Sequence, residues 1–210
     1  MNGASVGEPG RYALSFTTGA LLAREAALLA PVYIAERDWE RTRDHAMKGN
    51  LLQSRTHTTG VRLVRETVRR LSALTDDEIE LLIDATATER GHLLWAAACR
   101  RYALIGEFAE EILRERFLLF ASTLGYEDFN SFVRSKALWH VELTEIKGST
   151  LQRLRSNVFK MLHEAELLSD VGRIMPAVLS ERVVAVLEAT TPSDLRFFPT
   201  QARAVQGASR

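Results

Sequence analysis

Apolar residues recur at steps of three and four positions through most of this sequence. The clearest example is the apolar stripe formed by Val61, Val64, Val68 and Leu71. Such spacing places apolar side chains on one face of an α-helix, whereas a half-buried strand alternates apolar and polar residues. A β-prone character is found in the short run RIM at residues 173–175, which Pro176 ends. The sequence therefore predicts an all-α fold with one small β-hairpin.

The chain divides into four predicted segments. Residues 1–11 contain three glycines and a proline, which is typical of a flexible tail. Residues 12–124 are predicted to form an N-terminal helical domain. The character of the sequence changes at Gly125, and we predict a winged-helix-like domain over residues 125–199. A second flexible tail is predicted at residues 200–210.

Composition limits the class of protein. An apolar content of 46% over 210 residues is enough for a sizeable core, and 27 basic residues balance 27 acidic ones. The single cysteine, Cys99, excludes an intramolecular disulfide and cannot by itself hold zinc. The longest apolar run, residues 26–35, contains a proline and is about half as long as a membrane-spanning helix. With no signal-peptide pattern at the N-terminus, we expect a soluble, cytoplasmic protein without membrane contact.

The predicted helix at residues 149–168 has two chemically distinct faces. Its apolar face comprises Leu151, Leu154, Val158, Met161, Leu162, Ala165 and Leu168. Its opposite face comprises Gln152, Arg153, Ser156, Lys160 and His163. Two cations and three neutral hydrogen-bonding groups without an acid suit contacts with DNA phosphates and base edges. The alternative is a merely solvated face, because any surface helix places polar residues opposite its core.

The order of elements around this helix matches a winged helix-turn-helix. A helix and a short second helix precede a tight turn, the long helix follows, and a hairpin turn is predicted at residues 170–172. In such modules one face of the second helix packs on the domain and the other enters the major groove. Arg173 follows the turn glycine, so we expect it near the wing tip, within reach of a backbone phosphate.

A second basic surface is predicted in the N-terminal half. Arg62, Arg65 and Arg69 recur at helical spacing on the side away from the valine stripe, and Arg55 and Arg70 are near in sequence. From residue 55 to residue 70 these five arginines accompany one acid, Glu66, which predicts further phosphate contacts. The alternative is neutralisation by the acids of the following DDEIE run at residues 76–80.

The sequence lacks the patterns of common catalytic sites. Its five histidines show no metal-ligand spacing, and no glycine loop fits the GxxxxGK[ST] frame that binds phosphates. Cys99 lies in an apolar helix and is predicted to be a buried thiol, and Trp39, Trp95 and Trp139 are predicted core residues. We therefore expect no catalytic residue, no metal, no cofactor and no small-molecule substrate.

Five segments together resemble the BrxA family of bacterial BREX phage-defence systems. They are YALSFTTGALL at 12–22, NLLQSRT at 50–56, LLWAAACRRY at 93–102, EFAEEILRERF at 107–117 and LRSNVFKMLHEAELL at 154–168. The likeness runs from Tyr12 to about Pro199. It implies a compact helical bundle partly similar to the NusB fold, which binds DNA without catalysis. It also implies a setting beside a BREX methyltransferase, an ATPase and a phosphatase-like protein.

Residues and resemblance together predict a non-enzymatic accessory protein that binds double-stranded DNA with weak or no sequence specificity. Two alternatives remain. One is an adaptor that holds other BREX proteins together, with its basic faces as docking surfaces. The other is a NusB-like RNA-binding protein, which rests on analogy between folds alone.

Overall fold

The computed structural model describes residues 10–201. The predicted tails, 1–11 and 200–210, fall outside this range except for two residues at the inner end of each. The α-helices of the described part are α1 Ala23–Glu36, α2 Trp39–Lys48, α3 His57–Leu71, α4 Asp76–Asp84, α5 Ala87–Arg101, α6 Ala103–Phe108, α7 Glu115–Leu118, α8 Tyr126–Lys136, α9 Val141–Thr144, α10 Gly148–Glu164 and α11 Glu181–Glu188. A π-helical segment, Ala109–Arg114, joins α6 to α7, and a 3-10 helix covers Asp194–Phe197. The all-α prediction is confirmed.

Helix starts follow from local side-chain chemistry. The N-cap residue Asp38 accepts a hydrogen bond from the Arg41 amide at 2.8 Å. Thr75 forms a reciprocal capping box with Glu78 at the start of α4. Each cap satisfies amide groups that the first helical turn leaves without an intrahelical partner. Pro31 lies inside α1 without splitting it.

The apolar segment that begins with α5 has a break in its helical conformation at Tyr102. Tyr102 leaves the helical conformation with φ −124° and ψ 96°, and its hydroxyl donates to Glu66 Oε1 at 2.6 Å. Gly106 lies inside α6, where a Cβ would come within 2.9 Å of the Cys99 carbonyl oxygen. Glycine at this position therefore permits close packing of α6 against the end of α5 rather than a turn.

Helix α5 lies at the centre of the hydrophobic core. Every residue from Leu93 to Cys99 is buried, and α5 contacts α3, α4, α10 and α11. Trp95 is fully buried, and its indole N–H donates to the Phe197 carbonyl at 2.9 Å. The cluster of buried residues includes side chains from both sides of residue 124. The domain boundary between residues 124 and 125 stays a prediction.

Trp139 does not belong to the core, contrary to expectation. It is 85% exposed and follows the end of α8, beside the equally open Leu138. Trp39 is half-buried and stacks on Tyr33, with 3.8 Å between ring centroids.

The predicted hairpin is present in a reduced form. The Gly172 amide donates to the Ser169 carbonyl at 2.8 Å, and Gly172 has φ +76°, a conformation that favours glycine. An antiparallel bridge joins Leu168 to Ile174, and a second joins Arg173 to Thr123. Residues 172–175 thus lie between 167–169 and 122–124. Over residues 10–201 the β-structure consists of these isolated bridges, and the pairing with 122–124 was not predicted from the sequence.

Across the described range, no helix has both the length and the apolar character that crossing a bilayer requires.

Candidate nucleic-acid interface

Helix α10 buries one face and exposes the other, as its sequence predicts. Leu154, Val158, Met161 and Leu162 are buried, and Phe159 is nearly so. On the opposite side Gln152, Arg153 and Lys160 are exposed and Ser156 is half-buried. We call these last four residues the α10 face.

The cations of the α10 face are open to solvent. The side chains of Arg153 and Lys160 form no hydrogen bond or ion pair with any residue between 10 and 201. Glu164, an acid at the margin of this face, accepts a hydrogen bond from the Leu21 amide at 2.8 Å. The α10 face therefore presents two uncompensated positive charges that an anion can approach.

A shallow groove runs along one side of the α10 face. Its lining includes Thr17, Ser149, Gln152, Arg153, Asn157 and Lys160. The Asn157 side-chain amide donates to the Phe16 carbonyl at 2.9 Å, which fixes the N-terminal segment beside the helix. The sequence analysis missed Thr17 and Asn157, because a contact across 141 positions leaves no local pattern.

Tyr126 lies on the other side of the helix and was also missed. Its ring packs edge-on against Phe159, with 4.7 Å between centroids, and the Arg155 guanidinium lies 4.4 Å from the ring centroid. Tyr126 is 48% exposed. These two contacts hold the Tyr126 ring against α10.

His163 and Arg173 connect this helix to the hairpin region. The His163 Nδ1 atom lies 2.9 Å from the Leu168 carbonyl oxygen, so Nδ1–H donates there in the matching tautomer and Nε2 is the nitrogen left for a ligand. Arg173 is exposed. Arg173 pairs with Thr123 in the ribbon. Successive side chains of a strand point to opposite faces, so the side chain of Arg173 lies on the side opposite the buried Ile174.

Helix α3 carries the second predicted basic surface. Arg55, Arg62 and Arg65 are exposed and Arg69 is half-buried, and none of the four side chains forms an ion pair within the described part of the chain. Arg62, Arg65 and Arg69 are called the α3 face below. Arg70 does not belong to this surface: it is 1% exposed and its Nε donates to Glu66 Oε1 at 2.8 Å.

The acids of α4 do not neutralise the α3 face. Asp76 and Glu80 pair with Arg37 at 2.9 and 2.6 Å. Glu78 pairs with Arg100 in the interior. The arginines of the α3 face therefore form no salt bridge with Asp76, Glu78 or Glu80.

Other candidate groups lack the surroundings of a reactive site. Cys99 is buried, as predicted, and burial raises the pKa of its thiol. The His92 side chain is 2% exposed, and desolvation lowers its pKa, which keeps the ring neutral. Between residues 10 and 201 no cluster of three or more histidine, cysteine, aspartate or glutamate side chains is arranged to hold a metal ion.

Comparison with known proteins gives three findings. The sequence profile of the BrxA family matches residues 10–191. The BREX protein BrxA of Escherichia coli O9:H4 (strain HS) is 24% identical over 179 residues, which are 84% of each chain. The crystal structure of an uncharacterized protein from Magnetospirillum magneticum superimposes with a TM-score of 0.76 at 20% identity, over 90% of this chain and 99% of that one. The last likeness shows a shared fold.

Proposed function

Because the chain belongs to the BrxA family, we propose that it is a cytoplasmic, non-enzymatic accessory protein that binds double-stranded DNA. Family membership makes it a BREX defence-system protein. The single observation that carries the DNA-binding proposal is the α10 face, whose cations are exposed and uncompensated. Other BREX proteins are its proposed partners.

The dimensions of α10 suit the major groove. Its 17 residues span about 25 Å at 1.5 Å per residue, and the groove, about 12 Å wide, admits one α-helix. Arg153 and Lys160 lie seven positions apart on one side, so each is placed to reach a phosphate. Gln152 and Ser156, on the same face, offer uncharged hydrogen-bonding groups to base edges. Because few side chains would contact bases and several would contact phosphates, we expect weak or no sequence specificity.

The small ribbon beside α10 supports a winged-helix docking geometry. Residues 167–169 and 172–175 follow α10 directly and pair antiparallel, and 122–124 adds a third segment that precedes α8. In the proposed complex this ribbon is the wing. The exposed Arg173 then contacts a phosphate next to the groove that α10 enters.

The test is a salt-titrated binding assay with the variant Arg153→Ala/Lys160→Ala. Affinity for a random-sequence duplex should fall about tenfold or more. The slope of log affinity against log salt should become shallower by about 1.8, because each neutralised phosphate contributes about 0.9. Unchanged affinity and slope would remove α10 from the interface.

The matched control is Arg41→Ala/Lys48→Ala on α2. This variant also removes two exposed cations, and neither side chain forms an ion pair in the range from residue 10 to residue 201. It should retain the wild-type slope. If both variants lose affinity equally, overall charge rather than the α10 face governs binding.

A protein-assembly role is favoured by a different observation. Leu119 and Phe120 are 75% and 85% exposed, and Phe120 has φ 58°, a left-handed conformation that is unfavourable for a side chain of this kind. An exposed apolar pair of this kind suits contact with another BREX protein. The variant Phe120→Asn tolerates the conformation and should reduce nuclease-resistant capture of such a partner without changing duplex binding. Full retention of capture would count against the adaptor role at this site.

A further inference from the structure

A segment without regular secondary structure joins the helices that carry the two basic surfaces. On one side the Asn157 side chain of α10 donates to the Phe16 carbonyl. On the other, Arg70 of α3 donates to the Thr18 carbonyl at 3.1 Å and to the Ala20 carbonyl. Residues 16–20, which we call the strap, are therefore fastened to both helices.

One fastening point is a neighbour of the α10 face, and the other is a buried residue of the helix that carries the α3 face. Asn157 is four residues from Arg153 and three from Lys160, spacings that make side chains neighbours on a helix surface. Arg70 directly follows Arg69 in α3. Four residues of extended chain span at most about 14 Å. The strap thus joins helix α10, beside its cationic face, to helix α3 over this short length of chain.

Two acids lie near the path between the two faces, and each has a partner: Glu164 accepts from the Leu21 amide next to the strap, and Glu66 is buried. Glu66, the acid among the arginines of α3, is 4% exposed and is bound by Arg70 and by the Tyr102 hydroxyl. The strap itself, with the sequence FTTGA, carries no ionisable side chain. Thr17 and Gly19 are its exposed residues. Nothing in the strap would repel a phosphate backbone that passes over it.

We infer that the α10 face, the strap and the α3 face form one continuous binding surface that a single DNA duplex crosses. This inference rests on the proposed function and deepens it, because it replaces two independent basic sites by one. The strap positions the two helices relative to each other. One duplex then contacts both halves of the chain within about one helical turn, which is about 34 Å long.

The experiment compares two sets of substitutions in the full chain on one duplex of about 24 base pairs, a little over two turns. The first set is Arg153→Ala/Lys160→Ala, and the second is Arg62→Ala/Arg65→Ala/Arg69→Ala. A titration at high concentration gives the number of duplexes per protein, and a salt titration gives the slope. The control is again Arg41→Ala/Lys48→Ala.

A continuous surface gives one duplex per protein, and each set weakens that single event by about tenfold or more. The salt slope becomes shallower by about 1.8 for the first set and by about 2.7 for the second. Two duplexes per protein, or a second set with wild-type affinity and slope, would overturn the continuous surface while leaving DNA binding by α10 intact. A wild-type chain that binds no duplex would overturn the proposed function itself.

Discussion

The arginines of this molecule fall into two groups with opposite surroundings. In the interior, the side chains of Arg70 and Arg100 are 2% and 15% exposed, and carboxylates face both. On the surface, Arg62, Arg65 and Arg153 are exposed without an acidic partner among residues 10–201. A buried charge is costly unless it is paired, whereas a charge in water needs no partner. The contrast shows which arginines the fold requires and which it leaves available for a ligand.

Helix α3 contains both kinds side by side. Arg69 and Arg70 are consecutive, so their side chains leave the helix about 100° apart. Because of that rotation, the side chain of Arg70 is buried in the interior and the side chain of Arg69 lies at the surface. Charge counts along the sequence cannot distinguish the two.

The largest expected effect is that of Arg100→Ala. The guanidinium of Arg100 pairs with Glu78 and Asp194, whose side chains are 0% and 2% exposed. Its removal leaves the buried carboxylate of Glu78 without a cation and Asp194 with Arg196 alone, at 3.4 Å, and we expect the free energy of unfolding to fall by about 3–5 kcal/mol. Urea denaturation measures this. A loss below about 1 kcal/mol would show that the interior pair is not required by the fold.

Tyr102→Phe should have a smaller effect of the same kind. The change removes the hydroxyl that donates to Glu66 Oε1 at 2.6 Å but leaves the pair of Glu66 with Arg70. A hydrogen bond to a charged group contributes about 1.5–3 kcal/mol, and denaturation of this variant should show a loss in that range. A variant as stable as the wild type would mean that Arg70 alone satisfies Glu66.

The sequence predicts well what depends on neighbouring residues. Asp38 and Thr75 cap their helices because each cap involves a residue three positions away. The two faces of α10 follow from helical spacing alone. The sequence leaves open whether the arginines at 55–70 pair with the acids at 76–80, because spacing alone does not determine which charges meet.

The features that sequence analysis missed depend on contacts between distant segments. The carbonyls that Arg70 binds are 50 and 52 positions away, and the residue paired with Arg173 is Thr123. The strand-like segment 122–124 is too short for an alternating pattern to be recognised. The helical context of Trp139 in the sequence predicts a core residue, but Trp139 lies beyond the end of α8 and is open to solvent.

The pair of the partly exposed Arg182 with the buried Glu89 is an intermediate case, and its contribution to stability depends on pH. Arg182 binds both oxygens of Glu89, at 2.7 and 2.6 Å, and Ser180 donates to the same carboxylate at 2.7 Å. These hydrogen bonds, with that of Arg182 the strongest influence, lower the pKa of Glu89 below its ordinary value of 4.5. A lowered carboxyl pKa stabilises the fold above the unfolded-state value, and that contribution is lost as the pH falls towards the folded-state value.

The variant Arg182→Met tests this linkage. It should be less stable than the wild type at pH 7, and the difference between the two should shrink as the pH is lowered below the ordinary value of 4.5. Thermal unfolding at several pH values measures both chains. A difference that stays constant with pH would mean that the ion pair does not determine the ionisation of Glu89.

The smallest effect on stability is expected from substitutions in the α3 face, although its arginines are closely spaced in the sequence. Replacing Arg62, Arg65 and Arg69 by alanine removes three cations from α3, yet surface changes of this kind usually shift the free energy of unfolding by about 0.5 kcal/mol or less each. Alanine also has the best helix propensity, which offsets any lost packing of the arginine stems. Chemical denaturation of the triple variant should therefore nearly coincide with that of the wild type. A loss of several kcal/mol would mean that the α3 face holds the protein together, and the division between required and available arginines would then fail on this helix.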